Sequence, residues 1–389
     1  MKSPRLLAQI VAPLAAVIFT VSVAAAAEWR IDTVDQSGSG RYASMKIDPR
    51  GNVHVAYIPE QGPHPLKYAF WDHSLSRWFT MEIAQYASFS TLALDSKQRP
   101  HISYADHGSG KGAKLRYVYW TGGADWNVQV VSPKGDGVVA YYTSIALDAQ
   151  DKPMFSYYDY EGPAGVGFLL RLRSVVWAGN YWEVQMVDRS SGSGKFNSIA
   201  INSAGQPQIA YANVKAETSG LRYAGWNGAS WNTEIVEGQS GPTPIYSVAM
   251  LLDKKDNPHI AYTDVQKRLV KYATRQNGTW RTEILDSIRR EAYPDRHGIV
   301  LDDEGNPYIS YYDAGDGLLK IAFRSGGKWY IETVAKDYQG FTSSLAIHDH
   351  TLWVAFADDT GGSLKVGRRK LQDPVVSSAQ RPASDPNGK

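Results

Sequence analysis

Trp280-Arg-Thr-Glu-Ile-Leu-Asp286 opens a stretch of about 49 residues that contains four short segments with the alternating pattern of β-strands. The later segments are Ile299-Val-Leu-Asp302, Pro307-Tyr-Ile-Ser-Tyr-Tyr-Asp313 and Leu319-Lys-Ile-Ala322, and a Gly326-Gly327 turn leads to Trp329. Gly and Asn turns at this spacing are typical of hairpins. The stretch therefore predicts a four-stranded antiparallel sheet.

The same pattern recurs along the whole chain. Its most regular mark is a Trp at the start of an alternating segment, and it occurs at Trp29, Trp78, Trp126, Trp182, Trp231, Trp280 and Trp329. Four strands in each repeat of this length are typical of a propeller blade. A solenoid would need polar capping repeats at its ends, and the sequence shows none. We therefore predict an all-β, seven-bladed β-propeller with four antiparallel strands in each blade.

The residue pattern also predicts the order of the strands. A small residue stands at the centre of the Ser-rich segment, for example Ala146 and Ala200, and small residues fit where seven sheets crowd around an axis. The Trp segment is then the outermost strand, where a wide ring can cover the gap between blades. The chain begins on a Trp strand and ends after Leu364-Lys-Val-Gly367, a third strand. We expect the N-terminal strand to join the last blade and close the ring, which removes exposed sheet edges.

The two ends of the chain differ from the repeats. Lys2 and Arg5 precede an uncharged stretch that ends in Ala24-Ala25-Ala26-Ala27, a pattern typical of an export signal. An uncleaved membrane anchor is the alternative, since the uncharged stretch is long enough to span a bilayer, but Pro13 and the alanine run favour cleavage before Glu28. We predict a signal peptide at 1–27, a propeller at 28–371 and a disordered tail at 372–389. The expected location is secreted or periplasmic.

Composition limits the partners. Without residues 1–27 the chain keeps 39 basic and 39 acidic residues, because Lys2 and Arg5 are two of the 41 basic residues and that segment contains no acid. Such neutrality disfavours a nucleic-acid partner, which would need a basic face. The chain has no Cys, so disulfides and thiolate chemistry are excluded. We expect no cofactor, no metal, no membrane contact after cleavage, and a monomer.

Several motifs carry a family resemblance. Ser144-Ile-Ala-Leu-Asp148, Pro153-Met-Phe-Ser-Tyr-Tyr-Asp159 and Leu221-Arg-Tyr-Ala224 resemble the repeats of exported bacterial propellers in the broad sialidase-like (BNR-like) group. The resemblance covers residues 28–370 and implies the propeller fold. The Asp-box turn of true sialidases is Ser-x-Asp-x-Gly-x-x-Trp, whereas Asn227-Gly-Ala-Ser-Trp231 keeps only its end. The chain is therefore not expected to be a true Asp-box sialidase.

Residues that recur in every copy are best explained by the scaffold. Acids end most second strands and a base stands on every third strand, and we interpret both as turn acids and cross-strand partners. The acids are Asp106, Asp159, Asp264, Asp313 and Asp358, and the bases are Lys67, Arg116, Arg171, Arg222, Lys271, Lys320 and Lys365. His54, His101 and His259 open second strands in three different blades, so they cannot share a metal ion.

Departures from the repeat are the better functional candidates. They concentrate in the loops that lead from an outer strand to the next inner strand, which ring one mouth of a propeller channel. The aromatic residues there can be packing plugs over the core or stacking platforms for sugars. The candidate ligand-binding residues are Arg41, Tyr42, Lys46, Tyr141, Tyr142, Tyr246, Arg290, Tyr293, Arg296 and His297. We expect those of blades one and six to face the same mouth.

Two functions remain open from the sequence. The favoured one is a binding module that recognises a glycan or an extracellular protein at one mouth of the channel. The alternative is a carbohydrate-active enzyme, in particular a polysaccharide lyase acting on uronate-containing glycans. A lyase needs a base and a cation beside the uronate carboxylate, and Tyr293, His297, Arg296 and Lys46 are the candidates. The balanced charge of the mouth loops disfavours the lyase, because a site for polyanions should be positive.

Overall fold

The computed structural model describes residues 28–60, 62–108, 113–123, 125–131, 139–161, 169–215, 217–238, 243–289, 296–336, 340 and 342–371. These residues form 28 β-strands in seven four-stranded antiparallel sheets. The predicted signal peptide at 1–27 and tail at 372–389 lie outside the described residues.

Blades one to six each consist of four consecutive strands, which run in order from the inner to the outer strand. Blade one consists of β2 (Gly40–Ile47), β3 (Val53–Pro59), β4 (Leu66–Asp72) and β5 (Arg77–Ala84). Blade two consists of β6 (Ala87–Leu94), β7 (Pro100–Asp106), β8 (Lys114–Trp120) and β9 (Trp126–Val130). Blade three consists of β10 (Val139–Leu147), β11 (Pro153–Glu161), β12 (Leu169–Trp177) and β13 (Trp182–Asp188). Blade four consists of β14 (Ser193–Ile201), β15 (Pro207–Asn213), β16 (Gly220–Trp226) and β17 (Trp231–Ile235). Blade five consists of β18 (Ile245–Leu252), β19 (Pro258–Asp264), β20 (Leu269–Gln276) and β21 (Thr279–Ser287). Blade six consists of β22 (Gly298–Leu301), β23 (Pro307–Asp313), β24 (Leu318–Ser325) and β25 (Lys328–Ala335).

Blade seven joins the two ends of the chain. It contains β26 (Ser343–His348), β27 (Thr351–Asp358) and β28 (Ser363–Lys370), with β1 (Arg30–Asp35) as its outer strand. Ile31 pairs with Gly367 and Thr33 with Lys365 in antiparallel register. The N-terminal strand therefore completes the last blade, as the sequence predicts.

The recurring serines of the inner strands connect neighbouring blades. The backbone N–H of Leu92 in blade two donates to Ser44 Oγ in blade one at 3.0 Å. The N–H of Met45 in blade one donates in turn to Ser344 Oγ in blade seven, also at 3.0 Å. Because the sheets share no ladder hydrogen bonds, each serine satisfies a backbone donor that would otherwise be buried without a partner.

The core lies between the blades. In one interface Leu221 and Tyr223 of blade four pack with Met250, Ile260 and Tyr262 of blade five. The outer tryptophans cover the gaps at the rim, as predicted; Trp280 Nε1, for example, donates to Glu234 of the preceding blade at 2.8 Å.

The recurring acids and bases are structural, with one change of position. Arg116 contacts Asp106 at 2.8 Å and Lys320 contacts Asp313 at 2.7 Å, as expected for cross-strand partners. In blade three the base of this pair is Arg173, which contacts Asp159 at 2.8 Å. Arg171 lies directly opposite Asp159 in the strand register, as a cross-strand partner should, while the ion pair itself is formed by Arg173, two residues further along β12.

Candidate functional site

A β-bulge interrupts the inner strand of five blades close to one mouth of the channel. In blade one, Tyr42 and Ala43 together oppose Tyr57, because the register shifts between Arg41 and Ser44. The first bulge residue has a left-handed φ between 50° and 55° in all five blades, and these residues are Tyr42, Phe89, Tyr142, Phe196 and Ser247. A bulky residue in this conformation costs on the order of 1–3 kcal/mol. The sequence predicts the aromatics of this series in loops, and the structure corrects this by placing them inside inner strands.

Four of these aromatic rings meet around the axis. Ring centroids lie 4.7 Å apart for Tyr42 and Phe89, 4.4 Å for Phe89 and Tyr142, and 4.6 Å for Tyr142 and Phe196. Tyr246 of blade five extends the series at 4.6 Å from Phe196. The rings therefore pack against one another in tilted contacts and are not separate platforms for a ligand.

Arg296 occupies the matching position in blade six and completes this closure. Its Nη2 lies 3.4 Å from the carbonyl oxygen of Thr143 in blade three, so the side chain reaches across the axis. The cavity that Arg296 shares with the four rings has a volume of about 10 Å³, which is room for about one water molecule. We call Tyr42, Phe89, Tyr142, Phe196 and Arg296 the axial plug.

A second cation lies against the plug. Lys195 Nζ is 5.1 Å from the ring centroid of Phe196 and 5.4 Å from that of Tyr246, within cation–π range. Lys195 precedes the bulge in blade four, as Arg41 does in blade one. The position before the bulge therefore supplies a charged residue in both of these blades.

His297 does not face the mouth, contrary to the expectation from the sequence. Its side chain is 2% exposed, and Nε2 lies 2.8 Å from Thr263 Oγ1 of blade five. Burial lowers the pKa of His297 to about 3, so the ring is neutral at physiological pH. The alternation of the inner strand is the cause, since it turns the residue after Arg296 into the interface between blades.

Gly298 replaces the inner-strand serine of the other blades for a packing reason. An added Cβ there would lie 2.5 Å from Ser310 Oγ, and that hydroxyl accepts the Gly298 N–H at 3.1 Å. Ser310 thus brings its hydroxyl to the place that the inner-strand serine fills in other blades.

The remaining predicted residues divide into three groups. Arg41 and Tyr42 lie together at the mouth, beside Tyr141, whose ring is 5.6 Å from that of Phe89. Lys46 lies four residues further along β2, beyond the plug. Arg290 and Tyr293 lie outside the described residues.

An open pocket lies off the axis, between blades one and two, at the same mouth. Its volume is about 310 Å³, at the lower end of the range for small-ligand sites. The lining residues come from the starts of two inner strands and from the connections between second and third strands: Arg41, Tyr42, Ile58, Pro59, Glu60, His64, Ala87, Ser88 and His107. We call this the mouth pocket.

Opposite charges balance within the mouth pocket. Arg41 Nη2 lies 2.8 Å from Glu60 Oε1 and 3.8 Å from Asp359 Oδ2. Burial raises the pKa of Asp359, while Ser39 and Arg41 act to lower it. Arg41 is thus positioned by two acids, and its charge is compensated.

His107 gives the pocket a titratable group. Its Nε2 lies 2.6 Å from Ser88 Oγ, and its ring stacks on Tyr141 at 5.8 Å. Burial lowers the pKa of His107; Asp106 acts against this and His64 adds to it. A neutral imidazole can both donate and accept a hydrogen bond.

Tyr86 stands beside His107 and is open to solvent. The backbone N–H of His107 donates to the backbone carbonyl of Tyr86 at 2.8 Å, and Tyr86 is 48% exposed. The Tyr86 backbone has a left-handed φ of 59°, and its ring lies against Gly108. Tyr86 is therefore an aromatic surface at the edge of the mouth pocket.

Sequence reasoning missed Glu60, His64, Ser88 and His107 as candidates. They lie in connections between second and third strands, or before a bulge that the sequence does not reveal. The sequence does contain one signal: two consecutive repeats each have a histidine, His64 and His107, in the connection between the second and third strands.

A larger cleft of about 690 Å³ lies at the other end of the molecule, between blades five and six. Its carboxylates already serve their own turns: Asp253 accepts N–H bonds from Lys255 and Asn257, and Asp302 accepts one from Asn306. The mouth pocket, whose polar groups come from separate strands, is the stronger candidate site.

Within the described ranges, no three His, Asp or Glu side chains converge as metal ligands would. The same part of the chain contains no helix long and apolar enough to cross a membrane.

Comparison with known proteins supports the architecture. No family model matches the chain, and no curated protein matches it significantly. An ulvan lyase of polysaccharide lyase family PL25 superposes with a TM-score of 0.55 and 10% identity, over 88% of this chain and 96% of its own. A leech intramolecular trans-sialidase gives 0.53 and 9%, over 89% and 94%. A protein of unknown function from Dyadobacter fermentans DSM 18053 gives 0.54 and 8%, over 74% and 95%. At these identities the likeness is one of fold.

Proposed function

We propose that this chain is an exported propeller that binds carbohydrate in the mouth pocket. The observation that carries the proposal is the combination of an open cavity, a compensated Arg41–Glu60 pair and the exposed aromatic ring of Tyr86, whose backbone carbonyl accepts from the backbone of the lining residue His107. A sugar presents hydroxyl groups around an apolar ring face, and this combination suits both.

The polar groups suit hydroxyl recognition. Glu60 can accept hydrogen bonds from adjacent hydroxyls while Arg41 donates to them, and charge-assisted bonds of this kind are the stronger ones. His64 and His107, which also line the pocket, add ring nitrogens. Since Arg41 is already compensated by Glu60 and Asp359, the pocket favours a neutral glycan over a polyanion.

The structural neighbours support carbohydrate as the ligand class. The ulvan lyase structure is described as bound to -[GlcA(1-4)Rha3S]-, and the leech trans-sialidase as complexed with 2,7-anhydro-Neu5Ac. Both structures superpose over most of this chain and over most of their own, and both hold a saccharide.

Binding is favoured over catalysis. In the lyase alternative, Tyr293 and His297 are the candidate bases; His297 is buried against Thr263, and Tyr293 lies outside the described residues. In the mouth pocket a lyase would use His107 as the base and Arg41 to neutralise the uronate, and Arg41 already faces two acids. Sialidase chemistry is not proposed, because turns such as Asn227-Gly-Ala-Ser-Trp231 lack the Ser and Asp of the Asp-box.

Glycan-array screening followed by titration calorimetry tests the proposal. Tyr86→Ala should weaken the affinity for the selected glycan about tenfold or more, the scale of an aromatic anchor. Tyr181→Ala is the matched control, since Tyr181 is 58% exposed but lies in the turn between β12 and β13 at the other end of its blade. Absence of glycan binding, or equal losses in both variants, would contradict the proposal. Release of unsaturated uronate products, lost in His107→Ala, would favour the lyase.

Export is part of the same proposal. It rests on the charged start and alanine run of residues 1–27. Mass spectrometry of protein recovered from the periplasm or medium should find Glu28 at or near the N-terminus. A retained Met1 would indicate a membrane anchor instead.

A further inference from the structure

The mouth pocket brings a hydroxyl group and an imidazole together. Ser88 Oγ lies 2.6 Å from His107 Nε2, and both residues line the cavity of about 310 Å³. With the ring proton on Nδ1, Nε2 accepts the hydrogen bond that the serine hydroxyl donates. A serine in hydrogen-bond contact with a neutral histidine is the arrangement of a nucleophile and the general base that activates it.

The repeat does not account for this pair. Ser88 precedes the bulge residue of its inner strand, and His107 follows the last residue of β7. Other blades carry different residues at both positions. Those before the bulge are Arg41, Tyr141, Lys195 and Tyr246, and those after the second strand's last conserved position are Glu60, Tyr160, Val214, Val265, Ala314 and Asp359. The contact is therefore specific to blade two and is not part of the shared scaffold.

The neighbours of His107 fix its position and support a role as a base. Its backbone N–H donates to the Tyr86 carbonyl at 2.8 Å, and its ring stacks on that of Tyr141 with an angle of 29° between the planes. Burial lowers the pKa of His107, so the ring is neutral at physiological pH and accepts a proton. The charge of Asp106, which is held by Arg116 at 2.8 Å, favours the imidazolium once it has formed.

The rest of the pocket suits an uncharged acyl group. Ile58, Pro59 and Ala87 supply apolar surface to its lining. Arg41 lines the same cavity, and two acids compensate its charge before any reaction begins. Negative charge that develops on a carbonyl oxygen during acyl transfer is the kind of charge that such a cation stabilises.

We propose that the mouth pocket hydrolyses ester groups on an O-acetylated neutral glycan, with Ser88 as the nucleophile and His107 as the general base. The choice of a glycan rests on the carbohydrate binding proposed above, whereas the ester chemistry rests on the Ser88–His107 contact. A lyase breaks a different bond and needs a neutralised uronate, so the arguments against a lyase do not apply to an ester.

The reaction proceeds in two balanced steps. Ser88 Oγ attacks the acetyl carbonyl carbon while its proton passes to His107 Nε2. The bond between that carbon and the glycan oxygen then breaks, and His107 returns the proton to this oxygen, which leaves as a free hydroxyl group. Water from the open pocket next attacks the acetyl-serine, gives one proton to His107 and releases acetic acid, and the same proton restores the Ser88 hydroxyl.

Covalent labelling with a fluorophosphonate tests the nucleophile directly. The wild-type protein should gain one phosphonyl group, which peptide mass spectrometry places on Ser88. His107→Val should lose this label, because it removes the base and installs the residue that blades four and five already carry, Val214 and Val265. A wild-type protein whose Ser88 stays unlabelled would overturn the proposal.

Hydrolysis of p-nitrophenyl acetate measures turnover. Ser88→Ala should lower kcat/KM about 100-fold or more, the scale on which acid–base and nucleophilic groups act. The wild-type rate should rise with pH through the lowered pKa of His107 and level off near neutral pH, since only the neutral ring is a base. His73→Gln, at an exposed turn, controls for cleavage by surface imidazoles and should keep the wild-type rate. Equal rates for a folded Ser88→Ala and the wild type would also overturn the proposal.

O-acetylated xylo-oligosaccharides connect the ester chemistry to a glycan. The wild-type protein should release acetate from them, and Ser88→Ala should not. A labelled Ser88 and cleavage of p-nitrophenyl acetate without glycan binding on the array would contradict the proposed function but leave the ester chemistry standing. Glycan binding with an inert Ser88 would do the reverse, so the two failures are distinguishable.

Discussion

At the residue scale, three histidines that look like metal ligands form part of the scaffold. His54 Nδ1 lies 2.6 Å from Tyr68 Oη, and its Nε2 lies 3.8 Å from Asp48. His101 and His259 repeat this Asp–His–Tyr arrangement in blades two and five. The histidine is buried in each case, and it connects the turn after the inner strand to the third strand.

These histidines should make stability depend on pH. Burial lowers the pKa of His54 to about 4, against an opposing effect of Asp48, while the unfolded chain titrates near 6.5. Between these two pKa values the unfolded state binds one more proton than the folded state does. The contribution of neutral His54 to the free energy of unfolding is therefore fully present above pH 6.5 and is lost as the pH decreases toward 4. Within this window His54 contributes a slope of roughly 1.4 kcal/mol per pH unit, and the lowered pKa values of His101 and His259 act in the same direction.

His54→Gln isolates one of them. Blade four already carries Gln208 at this position, where its Oε1 accepts a 2.6 Å bond from Tyr223. The variant should therefore fold and show a smaller loss of stability between pH 6.5 and 4, measured by urea unfolding. His73→Gln, at an exposed turn, should leave the profile unchanged; identical pH profiles for His54→Gln and the wild type would disprove the assignment.

At the element scale, the inner strand shows what the sequence can and cannot predict. Its small and serine residues are predictable, because seven strands crowd the axis and each serine accepts an N–H from the next blade, as Ser144 does from Ile199 at 3.2 Å. The bulge is not predictable from alternation, since it inserts one residue and reverses the faces on either side. This reversal is why the sequence assigns Tyr42 and Tyr142 to loops.

The bulge also explains how one strand supplies two kinds of residue. The first bulge residue turns into the axial plug, and the residue before it turns to the mouth, as Phe89 and Ser88 show in blade two. Substitutions at the earlier position can change the mouth without disturbing the plug.

At the scale of the whole molecule, the seven blades were predictable because the Trp period repeats through the entire chain. The mouth pocket was not, because its walls come from two blades and from connections that the repeat leaves variable. His64 and His107 approach each other only when blades one and two are placed side by side. A single repeat contains no information on that distance.

Closure of the ring is the property of the whole molecule that is easiest to disrupt. β1 pairs with β28 over Arg30–Asp35, and Asp35 also accepts hydrogen bonds from Tyr57 and Lys67 of blade one. Burial would raise the pKa of Asp35, but these bonds lower it to about 2. β1 therefore fastens blade seven internally and also joins it to blade one.

Deleting residues 28–36 should expose the edge of β28 and remove the carboxylate that Tyr57 and Lys67 share. We expect a lower Tm and concentration-dependent association, since an unpaired edge recruits other chains. A circular permutant provides the matched control: an Asn-Gly turn, like Asn277-Gly278 between β20 and β21, joins Leu371 to Glu28, and the chain is opened between Ser37 and Gly38. The permutant keeps every strand and should remain monomeric in analytical ultracentrifugation. If the deletion variant is also monomeric with an unchanged Tm, the N-terminal strand is not what holds the ring together.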